Sequence, residues 1–122
     1  MNMNKLEKEI EYRGYKGFIK QNGNEYMQWR CAYVVVPKEN KLYERDYDKL
    51  SLDVHGGVTF SEYGDVFSGR TEGELKTLKD DDWVLGIDFA HGGDTTGYWT
   101  LNKVEEELKH FIDEVIRVGE RK

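Results

Sequence analysis

The sequence predicts an α+β fold, an antiparallel sheet of about four or five strands with a C-terminal amphipathic helix packed on one face. Three observations carry that expectation. Residues alternate with period 2 through Met27–Val35 and again through Trp83–Ala90, Asn22-Gly23 sits between β-prone stretches, and apolar residues recur at helical spacing from Val104 to Val115.

Taken in chain order, residues 1–8 receive no element and read as a candidate disordered end. Glu11 to Val36 reads as two extended segments around Gln21-Asn22-Gly23-Asn24, because Asn-Gly accepts the left-handed backbone that a tight hairpin requires. In the second segment Met27, Trp29, Cys31, Tyr33 and Val35 alternate with Gln28, Arg30, Ala32 and Val34, a half-buried pattern that assigns Arg30 to solvent. Pro37 ends the strand, and residues 38–50 form a polar excursion with one helical turn. A third strand is expected from Leu50 to Phe60, with Asp53 and His55 on the face opposite Leu52 and Val54. Residues 61–82 read as a flap or an irregular hairpin. The strand Trp83–Ala90 should point Trp83, Leu85, Ile87 and Phe89 one way and Asp88 the other. Asn102 and Glu105 are the expected N-cap and capping partner of the helix, whose stripe is Val104, Leu108, Phe111, Ile112 and Val115; Gly119 stops it, and His110 faces solvent. The helix then covers one face of the sheet, and Asp53, His55 and Asp88 lie on an open one.

Composition narrows the function. At 122 residues the chain suits one domain over 1–122. A lone cysteine, Cys31, allows no internal disulfide, which points to a reducing cytoplasm. Neither a signal-peptide pattern nor a membrane-spanning run of ~20 apolar residues is seen. The net charge of −6, from 24 acidic and 18 basic side chains, argues against a nucleic-acid polymer as partner. Aromatic residues make up 13%, enough for some rings to stack on a ligand as well as fill the core.

The chain has three histidines, and two of them stand in nearly the same phrase: Asp53-Val-His55-Gly56-Gly57-Val-Thr59 and Asp88-Phe-Ala-His91-Gly92-Gly93-Asp94-Thr95. A Gly-Gly pair after a strand can be a plain turn, and a histidine beside an aspartate can be a satisfied, half-buried ring; repetition weakens both readings. Three chemistries compete. Glycine-rich turns can present backbone N–H groups to a phosphate while His55, His91, Thr59 and Thr95 donate and Asp53 or Asp88 holds a sugar hydroxyl. The two imidazoles, each aligned by an aspartate, can instead act as general acid and base on a phosphodiester. Finally, His55, His91, Asp53, Asp88 and Asp94 are mixed N and O donors for a divalent metal, although no His-x-His or His-x-x-x-His spacing supports one. Arg13, Arg30, Arg45 and Arg70 are the candidate phosphate cations, with Arg70 in the supposed flap best placed to close over an anion. Trp83 is a candidate stacking ring.

The strings Tyr33-Val-Val-Val-Pro37, Leu42-Tyr43, Asp46-Tyr47, Asp53-Val-His55-Gly-Gly-Val-Thr59-Phe60 and Trp83-Val-Leu-Gly-Ile-Asp88-Phe-Ala-His91-Gly-Gly-Asp94 resemble a family of small proteins encoded by bacteriophages and prophages. The likeness runs from about Tyr12 to the helix. It implies action against host defence, either by sequestering a nucleotide-derived immune signal, of the cyclic dinucleotide or cyclic ADP-ribose type, or by cleaving it.

The expectation from residues and resemblance together is a phosphate-bearing nucleotide binder that needs no cofactor or metal and assembles as a homo-oligomer. Its expected contacts are Asp53, His55, Gly56, Gly57, Thr59, Arg70, Trp83, Asp88, His91, Gly92, Gly93 and Asp94. The runner-up is a metal-independent phosphodiesterase using His55 and His91, and a third reading is an interaction module that inhibits a host protein.

Overall fold

The computed structural model describes residues 3–73, 75–90 and 94–121. Five antiparallel strands form one sheet in the order β1-β2-β3-β5-β4, from β1 (Met3–Tyr12), β2 (Tyr15–Gly23), β3 (Gln28–Val36), β4 (Phe60–Tyr63) and β5 (Trp83–Asp88). Among the described residues two α-helices, α1 (Gly64–Gly69) and α2 (Leu101–Gly119), and one 3-10 turn (Tyr47–Lys49) complete the α+β architecture.

The Asn22-Gly23 hairpin forms as expected. Gly23 takes φ +126°, and Asn24 Oδ1 accepts the backbone N–H groups of Tyr26 and Met27, closing the turn between β2 and β3. A second hairpin precedes it, and the unassigned N-terminal stretch belongs to it from Met3 onward. Arg13 and Gly14 both adopt positive φ, +53° and +82°, between the paired Tyr12 and Tyr15. A two-residue turn of that hand matches the twist of its strands. Arg13 bears the strain of a left-handed non-glycine residue, and its guanidinium holds Asp113 of α2 at 2.9 Å.

The helix stripe read from the sequence is the core. Val104, Leu108, Phe111, Ile112 and Val115 are fully buried against Ile19, Ala32, Val34, Val36, Leu85, Ile87 and Phe89. The N-cap is Thr100 rather than Asn102: its side chain accepts the N–H of Lys103, so the helix begins one residue before the expected cap.

Both faces of the sheet are covered, which overturns the expectation of an open one. Phe18, Cys31, Tyr33, Val35 and Val84 form a second core under Phe67 of α1, with Leu75 and Leu78 packed alongside. Tyr33 lies across Gly86, where any Cβ would stand 2.6 Å from its ring. The pattern of β3 is therefore not half-buried; residues 31–36 are buried on alternate sides. Arg30 is not a solvent residue either: it lies on the α2 side at 17% side-chain exposure, paired with Glu7 at 2.8 Å and donating to the Trp99 carbonyl.

The expected third strand fails. Residues 50–59 form a looped segment, not a strand, and only Phe60–Tyr63 joins the sheet, as an edge strand beside β5. Leu52 is buried and Val54 packs on the core from this loop, so the apolar alternation was real but was satisfied without sheet pairing. The polar 61–82 tract, expected as a flap or an irregular hairpin, connects β4 to its antiparallel partner β5. It supplies β4 and α1, and Glu72 then bridges to the edge of β1 through Leu6 N–H and Asn4 C=O. Among the described residues, no helix is long and apolar enough to cross a membrane.

Candidate functional site

The site is built where β5 runs out and the loop before β4 turns back over α2. Gly56 and Gly57 adopt φ +69° and +78°, so the loop doubles back immediately after His55. Three side chains on one face of α2 hold it there: Glu107 Oε1 accepts the N–H of His55 at 3.0 Å, Glu114 Oε1 accepts the N–H of Asp53 at 3.1 Å, and His110 Nε2 donates to the Asp53 carbonyl at 2.6 Å. His110 thus fastens the loop although its surface is exposed. Arg117 grips Glu114 through two bonds of 2.8 and 2.9 Å, and this contact above all pulls the Glu114 carboxyl down to about 2.

The two sequence phrases do meet. Nε2 of His55 lies 3.1 and 3.0 Å from the two oxygens of Asp94, across 39 positions of chain. A carboxylate only accepts, so Nε2 carries the proton in this contact. Asp94 also accepts the indole N–H of Trp99 at 2.9 Å and is 8% exposed, whereas the His55 side chain keeps 27% of its surface. The imidazole stacks on Phe89 at 5.1 Å and 7°, and it meets Trp99 at 4.6 Å. Trp99 in turn contacts Tyr98, which is exposed and carries Lys103 Nζ 3.8 Å above its ring. Thr95 orders the same segment by accepting the N–H of Tyr98 on its hydroxyl and that of Trp99 on its carbonyl.

The other expected residues are distributed more widely. Asp53 is exposed on the loop, and the carboxylate that aligns His55 is that of Asp94 instead. Thr59 uses its backbone N–H on the Gly86 carbonyl, and Gly57 uses its own on Val54. With His55 N–H on Glu107, most of the turn is occupied by the chain's own acceptors, so the expected phosphate nest is not formed at residues 55–57. Asp88 shares the second face with Cys31 and Tyr33 and accepts the Ala90 N–H. Arg70 is the C-cap of α1 on that same side of the sheet, away from His55. Trp83 is buried at the opposite end of β5, its indole donating to the Arg45 carbonyl. His91, Gly92 and Gly93 lie outside the described residues. Among the described residues no three of His, Cys, Asp or Glu are grouped to hold a metal ion.

Phe89, Trp99, Tyr98 and Glu107 escaped the sequence reading as site residues. Phe89 was legible as an apolar strand position, but Trp99 and Tyr98 follow the second phrase in a stretch without periodicity, and Glu107 looks like any solvated helix glutamate. Compared with models of protein families, with curated proteins and with solved structures, the chain finds no match.

Proposed function

We propose that this protein binds a small nucleotide-derived signalling molecule, of the cyclic dinucleotide or cyclic ADP-ribose type, and holds it intact at the His55–Asp94 corner. The observation that carries the reading is the imidazole itself: doubly contacted by Asp94, packed between Phe89 and Trp99, and still partly open to solvent. The aromatic row continues to exposed Tyr98, a surface on which a base can stack. Lys103 beside that ring is the cation for a phosphate, while the carboxylates around the loop suit ribose hydroxyls. The likeness to phage and prophage proteins supplies the ligand class, and a second copy of the chain sharing the site belongs to the same proposal.

Cleavage is the second reading, favoured by one feature: an aspartate-aligned imidazole is the arrangement a general acid or base requires. A single experiment separates the two. The protein is incubated with cyclic dinucleotides and with cyclic ADP-ribose isomers, freed of unbound material, heated, and the released nucleotide chromatographed. Intact nucleotide supports sequestration, linearised product supports the phosphodiesterase, and no retained or altered nucleotide refutes both. In the first case, His55→Ala and Tyr98→Ala each weaken retention.

A further inference from the structure

The two ends of the β2–β3 hairpin are chemically unlike, and neither belongs to the His55 corner. At the turn, Tyr26 and Met27 stand 89% and 58% exposed. The backbone beneath them is closed tightly: Asn24 Oδ1 accepts their two N–H groups at 2.8 and 3.0 Å, and Asn24 N–H donates to the Met27 carbonyl at 2.9 Å. Gly23 leaves no slack, since a Cβ there would stand 2.1 Å from that carbonyl oxygen. A ring and a thioether held outward on a closed turn can be buried with little loss of backbone freedom.

At the other end, where β2 starts at Tyr15 and β3 runs into Pro37, a cavity of about 470 Å³ opens beside the end of α2. Its lining is largely apolar, with Tyr15, Pro37 and Gly119 among the walls. Buried Asn40 fixes those walls by donating to the Tyr15 hydroxyl and the Val115 carbonyl at 3.0 and 3.2 Å. The volume falls within the ~300–1,000 Å³ of pockets that enclose a drug-sized molecule, so a tyrosine ring and a methionine side chain have room. Glu39, Lys41 and Arg121 are exposed at its rim. The nine residues of β2 span ~30 Å, which keeps a chain's own turn out of its own cavity.

We propose that copies of the chain associate head to tail, with Tyr26 and Met27 of one entering the Tyr15–Pro37 cavity of the next. A second copy is the occupant because each end supplies what the other lacks. The turn offers a ring, a thioether and the Glu25 carboxylate, with no basic side chain from Gln21 to Gln28; the cavity offers apolar walls with Lys41 and Arg121 at its mouth. The Tyr26 hydroxyl is a donor for Glu39. The same lack of cations at the turn disfavours an anionic membrane as the surface it meets. A contact between two different surfaces propagates from copy to copy into chains or rings. One tyrosine, one methionine and a charged rim bury less than the ~1,200 Å² at the lower end of stable interfaces, so the association is weak and concentration-dependent. It is separate from any pairing at the His55 corner and does not depend on the function proposed above.

Sedimentation velocity of the full chain from ~10 μM to ~1 mM, the range in which a weak contact saturates, is the test. The weight-average mass of the wild type should climb with concentration to that of a dimer or beyond. Two variants confined to exposed residues, each checked for an unchanged melting temperature, should remain monomeric throughout. In one, Tyr26→Ser and Met27→Ser together remove the apolar side chains of the turn; in the other, Glu39→Trp sets an indole across the mouth of the cavity. Mixed in equal amounts, the two variants should form a heterodimer and nothing larger, because each pair retains one intact turn and one intact cavity. The proposal is overturned if the wild type stays monomeric over the whole range, if either variant associates as the wild type does, or if the mixture stays monomeric while the wild type associates.

Discussion

His55 and Asp94, 39 positions apart in the chain, share a two-oxygen contact at 3.0 and 3.1 Å that also engages Trp99. Asp94 therefore satisfies two donors at once, and its removal strands both. Asp94→Ala is expected to destabilise the protein by ~2–3 kcal/mol, because a half-buried indole N–H and imidazole lose their acceptor. Asp94→Asn, whose amide oxygen still accepts, should lose about 1 kcal/mol. Urea unfolding with an unchanged m-value checks both.

His55→Phe should be tolerated better than His55→Ala. The parallel stack on Phe89 needs a flat ring, not a nitrogen, so phenylalanine retains the ~0.5–1.5 kcal/mol that ring pairs contribute beyond burial. Comparison of the two melting curves isolates the stacking from the Asp94 contact. Equal losses would show that packing against Phe89 and Trp99 contributes little.

Gly119 leaves room for a side chain from elsewhere in the fold. A Cβ there would stand 1.8 Å from Asn40 Oδ1, and buried Asn40 is tied to Leu42 N–H, the Tyr15 hydroxyl and the Val115 carbonyl. Gly119→Ala must displace that network and is expected to cost ~3 kcal/mol or more. Gly57→Ala, left-handed but with open space around it, should cost only ~1–2 kcal/mol.

Glu114 gives an acid-side signature. Its carboxyl is held at about 2, below the ordinary 4.5, chiefly by Arg117 and also by the Asp53 N–H. A depressed carboxylate stabilises fully above the unfolded value, so its contribution is present above pH ~4.5 and fades as pH falls toward 2. Glu114→Gln should cost ~1–2 kcal/mol at neutral pH, a figure kept small because Arg117 is largely in solvent, and nothing at pH 2. Stability measured from pH 7 to pH 2 for both proteins decides it.

Lys20 gives the opposite signature at the alkaline end. Its folded-state pKa of about 8 lies below the ordinary 10.5, so the buried charge is carried in full below pH 8. Between those values the folded form sheds the proton first, and wild-type stability rises with pH. Lys20→Met, which keeps the stem and drops the charge, should be more stable than wild type by ~2–3 kcal/mol at pH 7, with the gain shrinking toward pH 10.5. A constant difference across that range would show that the ammonium is not the source.

What the sequence determined by itself is local. The Asn22-Gly23 hairpin, the stripe from Val104 to Val115 and the facing of Trp83, Leu85, Ile87 and Phe89 follow from backbone preference and periodicity, and the structure has each of them. Whether the two phrases meet was left open by the sequence; in the structure His55 of the first contacts Asp94 of the second. Tertiary structure decided the rest. It chose Asp94 over Asp53 as the partner of His55, covered the second face with α1, and drew Glu107, His110 and Glu114 onto the loop. Those outcomes depend on contacts between residues tens of positions apart, where a carboxylate or a short apolar run is equally content with water, strand or loop until the packed helix offers it a particular donor or surface.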